Sequence, residues 1–313
     1  MIELDVGASV LWSLAGLYAI LLIASLVVAL LSWRDPEKDR GELVKRIRSW
    51  WIIVTVFTLA MVLSRNVAVG FFAFVSFLAL KEFLSIIPTR RADRRVLFWA
   101  YLAIPLQYFW VAAAWYGMFI IFIPVYVFLL LPLRMVLIGE TKDFLCAAGT
   151  LHWGIMTLVF GISHIAYLLV LPESKNPGAG GAGLVLFLVF LTQFNDVAQY
   201  LWGTLFGSHK IIPKVSPNKT WEGFLGGIAT TTALSVLLSN WLTPFAWPMA
   251  AVAGLLISLA GYVGDVTISA LKRDIGLKDS GSMLPGHGGI LDRIDSLTYS
   301  APLFFHFIHY FYY

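Results

Sequence analysis

The stretch from Ser269 to Asp295 reads SALKRDIGLKDSGSMLPGHGGILDRID and lies between two long apolar runs. It carries charges of both signs, a Pro-Gly turn signal and a Gly-Gly pair, with His287 between them. A segment that only joined two apolar runs would need none of these groups. The pattern therefore predicts that the rest of the chain positions this stretch.

The composition is that of a membrane protein. Hydrophobic residues make up 59% of the 313 residues and charged residues 13%, about half the charged share of a soluble domain. This composition excludes a soluble enzyme and predicts an all-α, polytopic bundle of about ten transmembrane helices. The predicted spans are residues 8–32, 49–64, 66–87, 96–115, 117–138, 147–171, 181–205, 223–242, 247–271 and 297–312.

The basic residues predict the orientation of these spans. Twenty of the 22 Lys and Arg residues fall in or beside alternate loops, and the other two are Arg65 and Lys175. Because basic loops stay cytoplasmic, both termini are expected outside, with the Ser269–Asp295 stretch facing the cytoplasm of a bacterial-type inner membrane.

The polar residues divide the chain into two regions. Residues 1–180 are predicted to be a scaffold of transmembrane helices. Residues 181–313 are predicted to be the catalytic region, with cytosolic loops 205–222 and 272–296. The single cysteine, Cys146, lies in an apolar run and is expected to pack in the core.

The seventh predicted span contains a polar group, Gln193, Asn195, Asp196, Gln199 and Tyr200. An ionised Asp inside a membrane costs about 2.5–3.5 kcal/mol on insertion scales, so such a residue faces protein or a wet cavity. Two interpretations remain open: hydrogen bonding between helices, or the wall of a metal or substrate site.

A second polar segment, Gly207 to Gly223, reads GSHKIIPKVSPNKTWEG. Ser216-Pro217-Asn218 predicts a turn, and Thr220 is placed to cap the following helix. Lysines beside a helix N-terminus favour phosphate binding. Membrane topology alone also accounts for the lysines.

The third polar group begins inside the ninth predicted span with Asp265 and continues through the Ser269–Asp295 stretch. Asp265 and Ser269 lie four residues apart, on one helix face, and Asp292 and Asp295 share a face if they are helical. Gly261 and Gly264 permit close packing beside Asp265. A solvated loop is the simpler alternative, although it would not begin with a buried carboxylate.

Together, Asp196, Asp265 and Asp292 with the nearby Lys and Arg residues predict metal-assisted phosphate chemistry. Carboxylates suit Mg²⁺, which binds one or two of them together with substrate phosphates. Phosphoryl or nucleotidyl transfer requires such neutralisation of charge.

The motif SxLKR at 269–273, KDxG at 278–281, LP at 284–285 and HGGILDRID at 287–295 fills every defined position of a known signature. It resembles that of the phosphatidate cytidylyltransferases, or CDP-diacylglycerol synthases. GSHK at 207–210 and SPNKTWEG at 216–223 resemble further hallmarks. Gln199 departs from the family, which has Asp-x-x-Ala-Tyr in this span, and this leaves the lipid substrate open.

The resemblance implies Mg²⁺-dependent cytidylyl transfer from CTP to phosphatidate in phospholipid synthesis, giving CDP-diacylglycerol and pyrophosphate. A monovalent cation beside Mg²⁺ and a homodimer stay open, membrane lipids are expected partners, and nucleic acid is not. The expected metal ligands are Asp265, Asp292 and, more weakly, Asp196. The other expected catalytic residues are Lys272, Arg273, Asp295 and His287, the last as a phosphate ligand or an acid. The expected substrate-binding residues are Ser216, Asn218, Lys219, Lys278, Asp279 and Arg293.

Rival functions are a nucleotidyltransferase for another lipid phosphate and an ion or solute transporter that uses Asp196 and Asp265. Against the transporter, the polar residues concentrate at one face of the membrane. A CDP-alcohol phosphotransferase is disfavoured because its aspartate motif is absent from the sequence.

Overall fold

The computed structural model describes residues 6–35, 39–281 and 288–313. In this part of the chain, ten long helices follow one another, and no β-strand longer than an isolated bridge occurs. They are α1 (Ala8–Arg34), α2 (Gly41–Leu63), α3 (Arg65–Ile86), α4 (Arg94–Ala112), α5 (Tyr116–Val136), α6 (Phe144–Leu168), α7 (Gly180–Phe206), α8 (Trp221–Leu242), α9 (Trp247–Asp274) and α10 (Leu297–Tyr312). A short helix, Leu291–Ile294, precedes α10.

The predicted all-α, multi-pass membrane bundle is confirmed, and each predicted span corresponds to one helix. Among the described residues, eight helices are long and apolar enough to cross a membrane; α4 and α10, of 19 and 16 residues, are not among them. Two predicted boundaries differ from the structure. Helix α2 begins at Gly41 and α9 continues to Asp274, because hydropathy detects the apolar part of a helix and not its charged ends.

The four helices that follow residue 180 form one packed unit. Helix α8 packs against α7 and α9, α9 also packs against α10, and α10 contacts α6. The core contains fully buried aromatic side chains from both regions of the chain, including Phe83, Phe119, Phe187, Phe304 and Phe305. Burial of such large apolar groups fixes the helices relative to one another.

Loops predicted to share one face of the membrane contact each other. The Arg90 guanidinium donates hydrogen bonds to the backbone carbonyls of Glu140 and Lys142, over 3.1 and 2.5 Å. At the opposite end, the Asn176 amide donates to the Leu242 carbonyl over 3.0 Å. The alternation of loops therefore agrees with the sequence, while their cytoplasmic or external side stays a prediction.

The predicted burial of Cys146 is wrong, because its side chain is exposed on α6. Its neighbour Leu145 is also exposed. In a membrane protein an apolar run faces lipid as readily as protein, so hydrophobicity alone does not locate the core.

Gly264 allows α9 to approach the chain that leads into α10. A Cβ atom at this position would collide with the backbone carbonyl oxygen of Asp295 and lie 3.2 Å from the Cα atom of Ser296. Gly261 makes only ordinary contacts with its neighbours. Small residues at helix contacts permit this close approach in membrane proteins.

We expect Gly264→Ala to destabilise the protein by about 1–3 kcal/mol, because the added methyl group has no room. Gly70→Ala is the matched control, since Gly70 is also helical and a Cβ there would meet no atom within 4 Å. Thermal unfolding of both variants in the same detergent measures the difference. Equal unfolding temperatures for the two variants would show that this close contact does not hold α9.

Candidate active site

A cavity of about 280 Å³, called here the acidic cavity, lies among α2, α7, α9 and the short helix Leu291–Ile294. Carboxylates and cationic side chains that are far apart in sequence converge on it. Its lining residues are Trp50, Gln193, Asp196, Val197, Asp265, Lys272, Asp279, Asp292, Arg293 and Asp295.

Asp196, Asp265 and Asp295 form a cluster of carboxylates on this wall. Ser296 joins two of them: its hydroxyl donates to Asp196 over 3.0 Å, and its backbone N–H donates to Asp295 over 2.8 Å. The Ser269 hydroxyl donates to Asp265 over 3.3 Å, which confirms their common helix face. Burial raises the pKa of Asp295, and the charges of Asp265 and Asp196 raise this pKa further. The cluster therefore attracts a cation.

Lys219 brings positive charge to this cluster. Its Nζ atom lies 2.6 Å from an oxygen of Asp265, donates to Gln199 over 3.0 Å, and lies 5.5 Å from the Tyr262 ring centroid. Burial by itself would lower the pKa of Lys219, but the charges of Asp265 and Asp196 outweigh it and the pKa is raised. The ammonium therefore stays protonated inside the site.

Asp292 is held by protein donors on both of its oxygens. One oxygen accepts from Lys272 over 2.6 Å, and the other accepts from the backbone N–H groups of Ser280 and Gly289 over 2.9 and 3.1 Å. Burial acts to raise the pKa of Asp292, but Lys272 and these N–H groups outweigh it and lower the pKa. Gly288, with φ 78°, leaves room for this carboxylate, since a Cβ there would lie 2.6 Å from it.

The carboxylates fit a hard cation that also binds substrate. In the described part of the chain, no three His, Cys, Asp or Glu side chains form a ready metal cage. Mg²⁺ does not require one, because it binds one or two carboxylates with phosphates and waters. Asp265 and Asp292 line the same cavity, as the predicted metal site requires. The hydrogen bonds to Asp292 leave it little free acceptor capacity, so its role as a metal ligand stays a prediction.

A second cavity of about 360 Å³, the loop cavity, adjoins the first, and Asp196 lines both. The predicted turn at Ser216 and cap at Thr220 are confirmed: Lys219 N–H donates to the Ser216 carbonyl, and Gly223 N–H donates to the Thr220 hydroxyl. The residues that line the loop cavity are polar or basic where they come from the loop, and both polar and aromatic where they come from the helices. They are Asp196, Gln199, Tyr200, Gly203, Thr204, Lys210, Ser216, Asn218, Lys219, Thr220, Gly223 and Phe224.

Two predicted site residues, Arg273 and Lys278, line neither cavity. Arg273 is exposed and donates to the carbonyls of Val215 and Leu277 over 3.2 and 2.9 Å, so it holds the loops together. Lys278 is exposed and lines neither cavity. His287 lies outside the described residues.

Asn195, from the seventh predicted span, makes hydrogen bonds between helices. Its amide oxygen accepts from the hydroxyls of Ser258 and Thr231 over 2.6 and 3.2 Å. For Asn195 the structural interpretation is therefore confirmed, whereas Asp196 and Gln199 face cavities.

Glu82 is a residue of the site that the sequence prediction missed. It lies on α3, in the region predicted to be scaffold, and its carboxylate accepts hydrogen bonds from Ser280, Ile290 and Leu291. A buried acid at the end of an apolar run was the available signal, since such residues are rarely unpartnered. Trp50 also lines the acidic cavity without having been predicted to do so, whereas Lys210 of the basic loop lines the loop cavity.

The contacts of Asp292 predict that Asp292→Asn lowers the unfolding temperature even with EDTA and without nucleotide. The asparagine amide would turn its N–H₂ group toward a group that now donates to the carboxylate. Lys272 would also lose the partner of its buried charge, which is costly. Asp274→Asn is the matched control, because Asp274 is exposed nearby. Thermal unfolding in detergent is the measurement. An effect of Asp292→Asn only when Mg²⁺ is present would instead identify Asp292 as a metal ligand.

Comparison with known proteins finds relatives along most of the chain. An uncharacterized protein of Escherichia coli K12, YnbB, is 47% identical over 95% of this chain and 98% of its own length. The phosphatidate cytidylyltransferase of Mycobacterium leprae is 40% identical over 44% of this chain and 42% of its own length, and that of Brucella suis is 41% identical over 49% and 65%. The model of the cytidylyltransferase family matches residues 44–311. The chain therefore belongs to the cytidylyltransferase family.

Proposed function

We propose that this protein transfers the cytidylyl group of CTP to phosphatidate, giving CDP-diacylglycerol and pyrophosphate in phospholipid synthesis. The observation that carries the proposal is the pair of adjoining cavities, one lined by clustered carboxylates and one by a basic loop, with Asp196 in both. Two substrates that each bear phosphate need such neighbouring sites. The similarity to the phosphatidate cytidylyltransferases supports the choice of substrates.

The acidic cavity is the proposed place for the phosphates of CTP. Asp265, with one of its neighbours Asp196 and Asp295, would hold Mg²⁺, which when bound supplies positive charge to the phosphates. Arg293 lines the same cavity, and within the described residues its buried Nε–H has no hydrogen-bond partner. A phosphate oxygen would satisfy this donor.

The loop cavity is the proposed place for the lipid phosphate. Tyr200 lines this cavity and is 71% exposed, on the side of α7 that faces away from the rest of the protein. The cavity therefore lies beside the surface that the bilayer would cover. Lys210, Asn218 and Lys219 offer donors for a phosphate that arrives from the bilayer. This arrangement lets the acyl chains stay in the membrane during the reaction.

In the proposed reaction an oxygen of the lipid phosphate forms a bond to the α-phosphorus of CTP, and the bond from that phosphorus to the bridging oxygen breaks. Pyrophosphate leaves with the electron pair. A phosphate monoester is largely dianionic near pH 7, so no strong base is required. The residues of this chain act by positioning the two phosphates and by neutralising their charge.

The basic loops support a location of the proposed site at the cytoplasmic face of a bacterial-type inner membrane, where CTP is available. Both termini would then lie outside. A homodimer and a monovalent cation beside Mg²⁺ stay predictions.

Pyrophosphate release by the purified protein with CTP, phosphatidate and Mg²⁺ tests the proposal. We expect EDTA to abolish it and Asp265→Asn to lower turnover at least about 100-fold, because the variant loses a carboxylate that would hold the Mg²⁺ and so loses the positive charge beside the phosphates. Asp274→Asn should retain turnover. No CDP-lipid from the wild type would refute the function, and near-normal turnover of Asp265→Asn would refute the metal site.

Gln199 tests the assignment of the two cavities. Its oxygen accepts from Lys219, which Asp265 also holds, so Gln199→Ala should loosen this lysine and raise the KM for phosphatidate about tenfold more than the KM for CTP. Steady-state kinetics with each substrate varied in turn gives both values. A larger effect on the KM for CTP would reverse the assignment.

Competition among different lipid phosphates, with and without the Gln199→Ala substitution, measures which lipid acceptor the protein prefers.

A further inference from the structure

We infer that Glu82 is a positioning residue, which fixes the backbone around Asp292 so that Asp292 and Lys272 face the acidic cavity. This inference rests on the proposed function, since it concerns the same site. Glu82 comes from α3, a helix of the region that the sequence predicts to be scaffold. It lies 198 positions before Ser280, which it contacts.

The Glu82 carboxylate holds two separate points of the Ser269–Asp295 stretch. Its Oε1 atom accepts from the Ser280 hydroxyl over 2.5 Å and from the Leu291 N–H over 3.1 Å. Its Oε2 atom accepts from the Ile290 N–H over 2.9 Å. These points lie on either side of residues 282–287, so one side chain anchors the chain before and after that segment.

The glycines of the motif leave space for this carboxylate. A Cβ atom at Gly289 would collide with the Glu82 carboxylate, and one at Gly281 would lie 3.2 Å from it. Glu82 is only 8% exposed, and no Lys or Arg of the described residues forms an ion pair with it. Buried charge without a counter-charge is costly unless hydrogen bonds stabilise it. The motif supplies these donors.

A connected set of contacts runs from Glu82 to the cavity. Ser280 contacts Glu82 through its hydroxyl and Asp292 through its backbone N–H, and Asp292 in turn accepts from Lys272. Asp292 and Lys272 line the acidic cavity, whereas Glu82 does not. Glu82 therefore acts through other residues and does not touch substrate.

The test compares Glu82→Gln with Lys81→Gln, a matched control because Lys81 is exposed on the same helix turn. A glutamine keeps the size of the side chain but turns an N–H₂ group toward a backbone donor. We expect kcat/KM for CTP to fall about 10–100-fold, the usual effect of losing a residue that orients a site. The KM for phosphatidate should stay unchanged, because the loop cavity does not contact Glu82.

A merely structural role would give a different result. Loss of folded protein lowers the apparent kcat and leaves the KM for CTP and the KM for phosphatidate unchanged, and that outcome would overturn the inference. The double variant Glu82→Gln/Ser280→Ala should lose less activity than the product of the two single losses, because the two residues share a contact.

Amide hydrogen exchange at Ile290 and Leu291 gives a readout that needs no activity. Exchange should become faster in Glu82→Gln and stay unchanged in Lys81→Gln. Unchanged exchange in Glu82→Gln would overturn the positioning role even in an active enzyme. If Glu82→Gln speeds exchange as expected but the wild type makes no CDP-lipid, only the proposed function is refuted.

Discussion

Burial of several carboxylates at one end of an apolar bundle is the constraint on which this structure depends. Asp196 and Asp265 lie on helices long and apolar enough to cross a membrane, where a lone charge is costly. Lys219 compensates part of this charge by pairing with Asp265 over 2.6 Å. Ser296 donates hydrogen bonds to both Asp196 and Asp295. The compensation is partial, and in the proposed function a cation would complete it.

The same constraint explains why the loops are ordered around the carboxylates. The 207–220 loop is tied to the cluster by Lys219 and to α9 by Arg273, which donates to the Val215 carbonyl. The chain before α10 is tied by Ser280 and Gly289 to Asp292. These segments cannot move away without leaving buried charges unpartnered, so catalytic geometry and stability depend on the same contacts.

The roles of the acidic residues separate once their contacts are known. Among the described residues, Asp295 accepts through one oxygen and Asp196 accepts only from the Ser296 hydroxyl. Asp292 instead uses both of its oxygens to hold Lys272 and the neighbouring backbone. Glu82 uses both oxygens in the same way. An acid that organises a site and an acid that binds its ligand look alike in sequence and differ only in what surrounds them.

The sequence by itself determined the helical membrane fold, the approximate spans, the alternation of basic loops and the polar segments that converge. Hydropathy and motif spacing are local properties, and they are readable in one dimension. Only the tertiary structure decided that Asp196 lines both cavities, that Arg273 and Lys278 lie outside them, and that Glu82 of α3 belongs to the site. These facts depend on which faces of distant helices meet, and side-chain packing between residues 198 positions apart leaves no local pattern in the chain.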